Sequence, residues 1–166
     1  MQMLHNFHIV QFIPDSSLFT MITLSNEIFF AQVESEILAG QSVRFKVKGS
    51  SMYPLLRDGK DEVTLSPITR EPKIMDIVLF RYRGKHVLHR IISIAGDKYT
   101  IQGDGIYLSV ETCSKKDIIG IVTQIHKRGK TPIGTTSKWA LFYILCWHKL
   151  RFCRRYLLAL LRRVYK

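Results

Sequence analysis

The chain has few cysteines and, past residue 117, no acidic residue at all. Cys113, Cys146 and Cys153 are the only three in 166 residues. They are odd in number and form no C-x-x-C pair, which excludes a disulfide framework and a cysteine-based zinc site. A membrane-spanning helix needs about 18 or more consecutive apolar residues. The strongest candidate, residues 139–147, has nine. Residues 1–20 contain no Lys or Arg, and Pro14 and Asp15 interrupt their apolar stretch. No N-terminal secretory signal is read there, because such a signal starts with positive charge. Internal repeats and low-complexity tracts are also absent. What remains is 46% hydrophobic and 23% charged, which excludes a disordered or fibrous chain and leaves an ordinary globular domain.

The missing acids divide the chain. Residues 1–117 hold 14 Lys and Arg against 13 Asp and Glu, whereas residues 118–166 hold 11 Lys and Arg and no acid. Nearly all of the formal net charge of +12 therefore sits in the last third. A near-neutral body with a basic tail implies an anionic partner for that tail.

Patterning gives four segments. Residues 1–24 read as an N-terminal extension, within which Met21 offers a second start. Residues 25–126 read as a β domain with a leading helix. In that helix, 25–39, Ser25 is a natural N-cap, Glu27 suits the first turn and Gly40 is a stop. Val43, Phe45 and Val47 then alternate with Arg44, Lys46 and Lys48, the period of a half-buried strand. Further strands are expected at 62–66, 76–81, 87–94, 98–102 and 118–125, separated by Gly-containing turns. Residues 127–138, with Gly129, Pro132 and Gly134, read as a linker. Residues 139–166 read as a basic amphipathic helix. Leu150, Cys153, Leu157, Leu160, Leu161 and Val164 share one face, and Lys and Arg fall mainly on the other. Such a helix suits a membrane interface better than a bilayer span, with packing on its own domain as the ordinary alternative and nucleic acid the least favoured partner.

Three residues in the β domain carry possible chemistry. Ser51 lies where the strand 43–48 ends and the chain turns, a position that exposes a hydroxyl or simply forms a turn. His89 lies within the apolar strand 87–94, where a histidine is commonly structural. Asp104 lies in the Gly-flanked turn Gly103-Asp104-Gly105, where an aspartate commonly caps. A serine hydroxyl becomes a useful nucleophile when a base reaches it, and histidine titrates in the right range for that task. A carboxylate can orient the imidazole. Sequence order alone does not show that the three meet. His86 and His89 are three apart on one strand and face opposite ways, so they share no metal, and His86 reads as a surface residue. No metal or cofactor is assigned.

The ordered motifs Ser51-Met52-Tyr53-Pro54, Arg57-Asp58-Gly59, M-D-I-V-L-F at 75–80, V-L-H-R-I-I at 87–92, Q-G-D-G at 102–105 and D-I-I-G-I-V at 117–122 resemble the superfamily that joins type I signal peptidases to LexA-like self-cleaving repressors. The resemblance covers about residues 43–125. It implies an α+β, mostly β fold, a compact antiparallel signal-peptidase-like domain, and attack by Ser51 on a peptide bond. Most bacterial members have a lysine base where this chain has His89, so it is most similar to the Ser-His branch of archaea and the endoplasmic reticulum. Bacterial members also carry a hydroxyl two residues before the nucleophile, where this chain has Gly49. Ser50 and Met52 are then the positioning residues beside the Ser51 amide. The orienting acid is Asp104, within the matched motif, with Glu111 as the alternative.

The leading expectation is therefore a serine endopeptidase acting at or near a membrane. Its substrate would be an extended peptide or protein, and residues 139–166 would hold the surface. One alternative is a self-processing protein that cuts at Ala39-Gly40, although only eleven positions separate Gly40 from Ser51. Another is an inactive β domain whose tail binds lipid or nucleic acid.

Overall fold

The computed structural model describes residues 26–106, 108–135 and 137. The expected extension 1–24, the Ser25 cap and the tail 139–166 lie outside them.

The leading helix, α1, spans Asn26–Leu38. Phe29, Phe30, Val33 and Ile37 recur at helical spacing and form its buried face. It ends in a Schellman motif. The Gln41 N–H donates to the Glu36 carbonyl, the Gly40 N–H donates to the Ile37 carbonyl, and Gly40 takes φ +81°.

Eight strands follow: β1 Val43–Lys46, β2 Glu62–Ser66, β3 Ile77–Tyr82, β4 Lys85–Ala95, β5 Lys98–Gln102, β6 Glu111–Ser114, β7 Ile118–His126 and β8 Ile133–Gly134. They form one sheet in the order β1-β2-β7-β3-β4-β5-β6, with β8 added on β7, and every pairing is antiparallel. The α+β, mostly β class expected from the patterning is the class observed. Two strands escaped the sequence reading. β6 has four residues with one buried side chain, and β8 has two residues inside the expected linker.

The central strands bury both faces, which explains why β3 shows a continuous apolar run rather than alternation. Ile77 and Leu79 join Val122, Ile125 and the face of α1 in one core cluster. Val78 and Phe80 point the other way, onto Ile91, Ile101 and Ile121. Register shifts at Thr64/Leu65, Leu79/Phe80 and Ile91/Ser93 mark irregularities that bend the strands.

α1 is also tied down by charge. Glu34 accepts from Arg81 on β3 and from the His86 Nε2–H on β4, the latter at 2.6 Å. The Arg81 hydrogen bond outweighs the cost of burial, and with His86 it holds the Glu34 carboxyl at about 2. Far from being a surface residue, His86 is half-buried and stacks on Phe30 with ring centroids 4.6 Å apart.

Candidate active site

The segment carrying Ser51 is a loop closed at its base. The Val47 N–H donates to the Asp61 carbonyl and the Gly59 N–H donates to the Val47 carbonyl, each at 3.0 Å. The Arg57-Asp58-Gly59 motif supplies the side-chain ties. Asp58 Oδ1 accepts the Gly49 N–H at 2.9 Å. Asp61 is fully buried and accepts from the Arg57 backbone N–H at 2.9 Å and from its guanidinium at 2.6 Å. Burial opposes the Asp61 charge, but those hydrogen bonds keep its pKa below the usual range. Met52 and Leu56 plug the loop into the core, 4% and 1% exposed. Gly49 turns the chain just before the serines at φ +94°, where a side chain is strained although the space around it is open. A hydroxyl-bearing residue at this position would thus require a different backbone.

The Gly103-Asp104-Gly105 turn closes against this loop backbone to backbone. The Gly105 N–H donates to the Ser51 carbonyl at 2.7 Å. A Cβ on Gly105 would lie 2.5 Å from the Ser50 carbonyl oxygen. A Cβ on Gly103 would lie 2.5 Å from the Ser51 carbonyl oxygen and 2.9 Å from His89 Nε2. Both glycines are therefore required by space. Ser51 and the imidazole of His89 flank the same point, each within a carbon atom's reach of Gly103. Among the described residues, the hydrogen bond that ties Ser51 to the glycine turn runs through its carbonyl and not through its hydroxyl.

His89 is 4% exposed on β4. Its Nδ1–H donates to Glu111 Oε2, at the start of β6, across 3.1 Å. A carboxylate on Nδ1 fixes the tautomer that leaves Nε2 as an acceptor facing the Ser51 loop. Burial pushes the His89 pKa below 6.5, opposed by the charge and hydrogen bond of Glu111 and, more weakly, by the charge of Asp104. Burial thus favours the neutral imidazole.

Asp104 takes another place from the one expected. Its two oxygens accept from Arg90 Nε at 2.8 Å and Nη2 at 2.6 Å, and Arg90 Nη1 reaches the Met75 carbonyl at 2.8 Å. Both partners are nearly inaccessible, 3% exposed for Arg90 and 4% for Asp104. The turn after β5 sets this: a Cβ at 103 would face His89, whereas the Asp104 side chain meets Arg90, the strand neighbour of His89. Glu111, the alternative acid, holds the imidazole. Of the positioning residues, Met52 is buried in the core while Ser50 is exposed at the loop surface.

A cleft of about 140 Å³ opens beside the serine. Its lining includes Val47, Gly49 and Ser51, Val87 and Leu88 of β4, and the stacked pair Phe30 and His86. Sequence reasoning did not find Phe30 or His86. Their signal is the Phe30 position on the buried face of α1, visible only once α1 is placed on the β3–β4 hairpin. Among the described residues no helix is long and apolar enough to cross a membrane.

No curated protein matches the chain. A family does: the family described as signal peptidase, peptidase S26, matches residues 28–131, a span that holds all but the first two residues of α1, the serine loop, His89, the Gly103-Asp104-Gly105 turn and Glu111. That span is well over half of the 166 residues, and the chain belongs to the signal peptidase family, peptidase S26, a family of serine peptidases.

Proposed function

We propose that the protein is a serine endopeptidase in which Ser51 attacks the peptide carbonyl, His89 is the general base and Glu111 orients His89. The observation that supports this most is the His89–Glu111 hydrogen bond, with Nε2 of the same ring beside the Ser51 loop.

The chemistry follows from the geometry. An extended substrate lies in the cleft between the Val47–Gly49 segment and Val87–Leu88, hydrogen-bonding as an added strand. As the Ser51 oxygen attacks the carbonyl carbon, its proton passes to His89 Nε2. The imidazolium is stabilised by Glu111 through Nδ1. The Ser51 N–H, with Ser50 beside it, is the candidate donor to the developing oxyanion, replacing the hydroxyl absent at Gly49. The proton on Nε2 then goes to the leaving amine. Water, deprotonated by the same nitrogen, hydrolyses the acyl ester and frees the acid.

We assign the place of action to a membrane surface, held by the basic amphipathic residues 139–166. The self-processing alternative loses ground. Ala39-Gly40, the bond it would cut, sits in the hydrogen-bonded C-cap of α1, not extended in the cleft.

A fluorophosphonate tests the nucleophile directly. Reaction at the activated serine joins its oxygen to phosphorus and expels fluoride. The expected result is a single adduct mapped to Ser51, absent in Ser51→Ala and slowed by at least about a hundredfold in His89→Ala. An adduct at another residue, or equal labelling of the His89→Ala variant, would reject the assignment.

A further inference from the structure

We propose that a basic cleft at the β1–β2–β7 end of the sheet binds the phosphates of anionic phospholipid headgroups, giving the domain a membrane contact separate from the tail. This goes beyond the peptidase reading and does not depend on it.

The cleft has a volume of about 810 Å³. Arg44 and Lys46 of β1, with Arg57 and Lys60 of the serine loop, supply one group of cations. Lys127, Arg128 and Lys130, in the turn after β7, supply the other. Strand alternation makes the first group: Val43 and Phe45 point into the core, so Arg44 and Lys46 point out. The second group is gathered by a turn that the Lys130 N–H closes on the Lys127 carbonyl at 3.0 Å.

Acids do not balance these charges. Glu62 is the one carboxylate in the lining, and it is engaged by Arg44 at 2.7 Å. Arg57 is engaged by Asp61. Among the described residues no carboxylate lies within ion-pair distance of Lys46, Lys60, Lys127, Arg128 or Lys130. Lys127 is half-buried, and burial pushes its ammonium below the usual range, only partly offset by the charge of Asp61, which is already bonded to Arg57. An incoming anion relieves that cost.

The lining favours a lipid surface over nucleic acid. It contains no Phe, Tyr or Trp on which a base could stack, the usual means of holding single strands, and its one aromatic ring, His126, is tied to Thr64 Oγ1 at 2.7 Å. It also leads along the chain into residues 138–166, which carry eight more Lys and Arg and no acid, interleaved with apolar residues spaced three and four apart in the sequence. Basic residues next to such a stripe are what anionic bilayers attract.

The test uses the full chain and vesicles of phosphatidylcholine, alone or mixed with phosphatidylglycerol. An amine-reactive label is read by mass spectrometry at Lys60, Lys127 and Lys130, with Lys98 on β5 as reference. The mixed vesicles should protect the three cleft lysines and leave Lys98 labelled, while phosphatidylcholine alone should protect none. Unchanged labelling of the cleft would overturn the proposal. So would stronger protection by inorganic phosphate or by DNA than by the mixed vesicles at matched phosphate concentration. The variant Lys60→Gln/Arg128→Gln/Lys130→Gln, three exposed positions, should bind the mixed vesicles about tenfold more weakly or worse. Binding equal to wild type would again overturn it. Peptide cleavage in detergent reports on the active site separately, so failure here and failure of the peptidase reading are distinguishable.

Discussion

Glu111 and Asp104 are seven residues apart, both acidic and both close to His89, yet they do different work. Glu111 touches the imidazole, and Asp104 neutralises Arg90. Their substitutions should separate accordingly. Glu111→Gln should lower kcat by on the order of 10²–10⁴-fold with the fold intact, since only the orientation and charge at Nδ1 are lost. Asp104→Asn should instead destabilise the protein by about 3–5 kcal/mol, because it strands a buried guanidinium; denaturant unfolding measures it. The pH profile carries a second signature. With His89 as the proposed base, whose pKa burial lowers from 6.5, the rate should climb with pH on a limb below 6.5 and level off above it. Glu111 raises that pKa, so Glu111→Gln should move the limb to lower pH; a limb that stays put or moves up contradicts the pairing. The sequence placed both acids near the site but not which one reaches the ring. That depends on which way the chain faces through Gly103-Asp104-Gly105, a question of turn geometry rather than of spacing.

Among the elements, the serine loop and the glycine turn hold each other in place. Gly103→Ala puts a methyl against the Ser51 carbonyl and the His89 ring, so one of them must move. The expected cost is about 1–3 kcal/mol of stability together with a loss of kcat larger than any change in KM. Steady-state kinetics on the folded variant decide this. The α1 clamp makes a different prediction. Glu34 is depressed from its usual 4.5 to about 2, so its contribution to stability is complete above about pH 4.5 and is lost as pH falls toward 2. The unfolding midpoints of wild type and Glu34→Gln should therefore differ at neutral pH and converge across that window. Most strands were legible because the alternation in β1 and the Gly-bearing turns are local signals. β6 and β8 were not, because Glu111–Ser114 and Ile133–Gly134 are too short to show a period and form only by pairing with β5 and β7. The same holds for the cleft residues Phe30 and His86, which meet only when α1 docks on a hairpin far away in sequence.

For the whole molecule, the division of charge is the most informative feature of the sequence, and the fold sharpens it. The sequence located the basic excess after residue 117, but the fold alone brings Lys127–Lys130 beside Arg44 and Lys60 from the near-neutral body. Membrane binding should accordingly be electrostatic in part. Vesicle binding should weaken as salt rises, and Gln at Arg151, Arg154, Arg155, Arg162 and Arg163 should weaken it further without changing cleavage of soluble peptides in detergent. Salt-independent binding would argue against both basic elements. The central claim, however, is catalytic. Cleavage of a diverse peptide library in mild detergent, read by mass spectrometry, tests it most directly, with wild type, Ser51→Ala, His89→Ala and Glu111→Gln side by side. The account predicts defined cuts by wild type, none by Ser51→Ala or His89→Ala, and the same cuts at a much lower rate by Glu111→Gln. Cleavage by Ser51→Ala at the wild-type rate would contradict it.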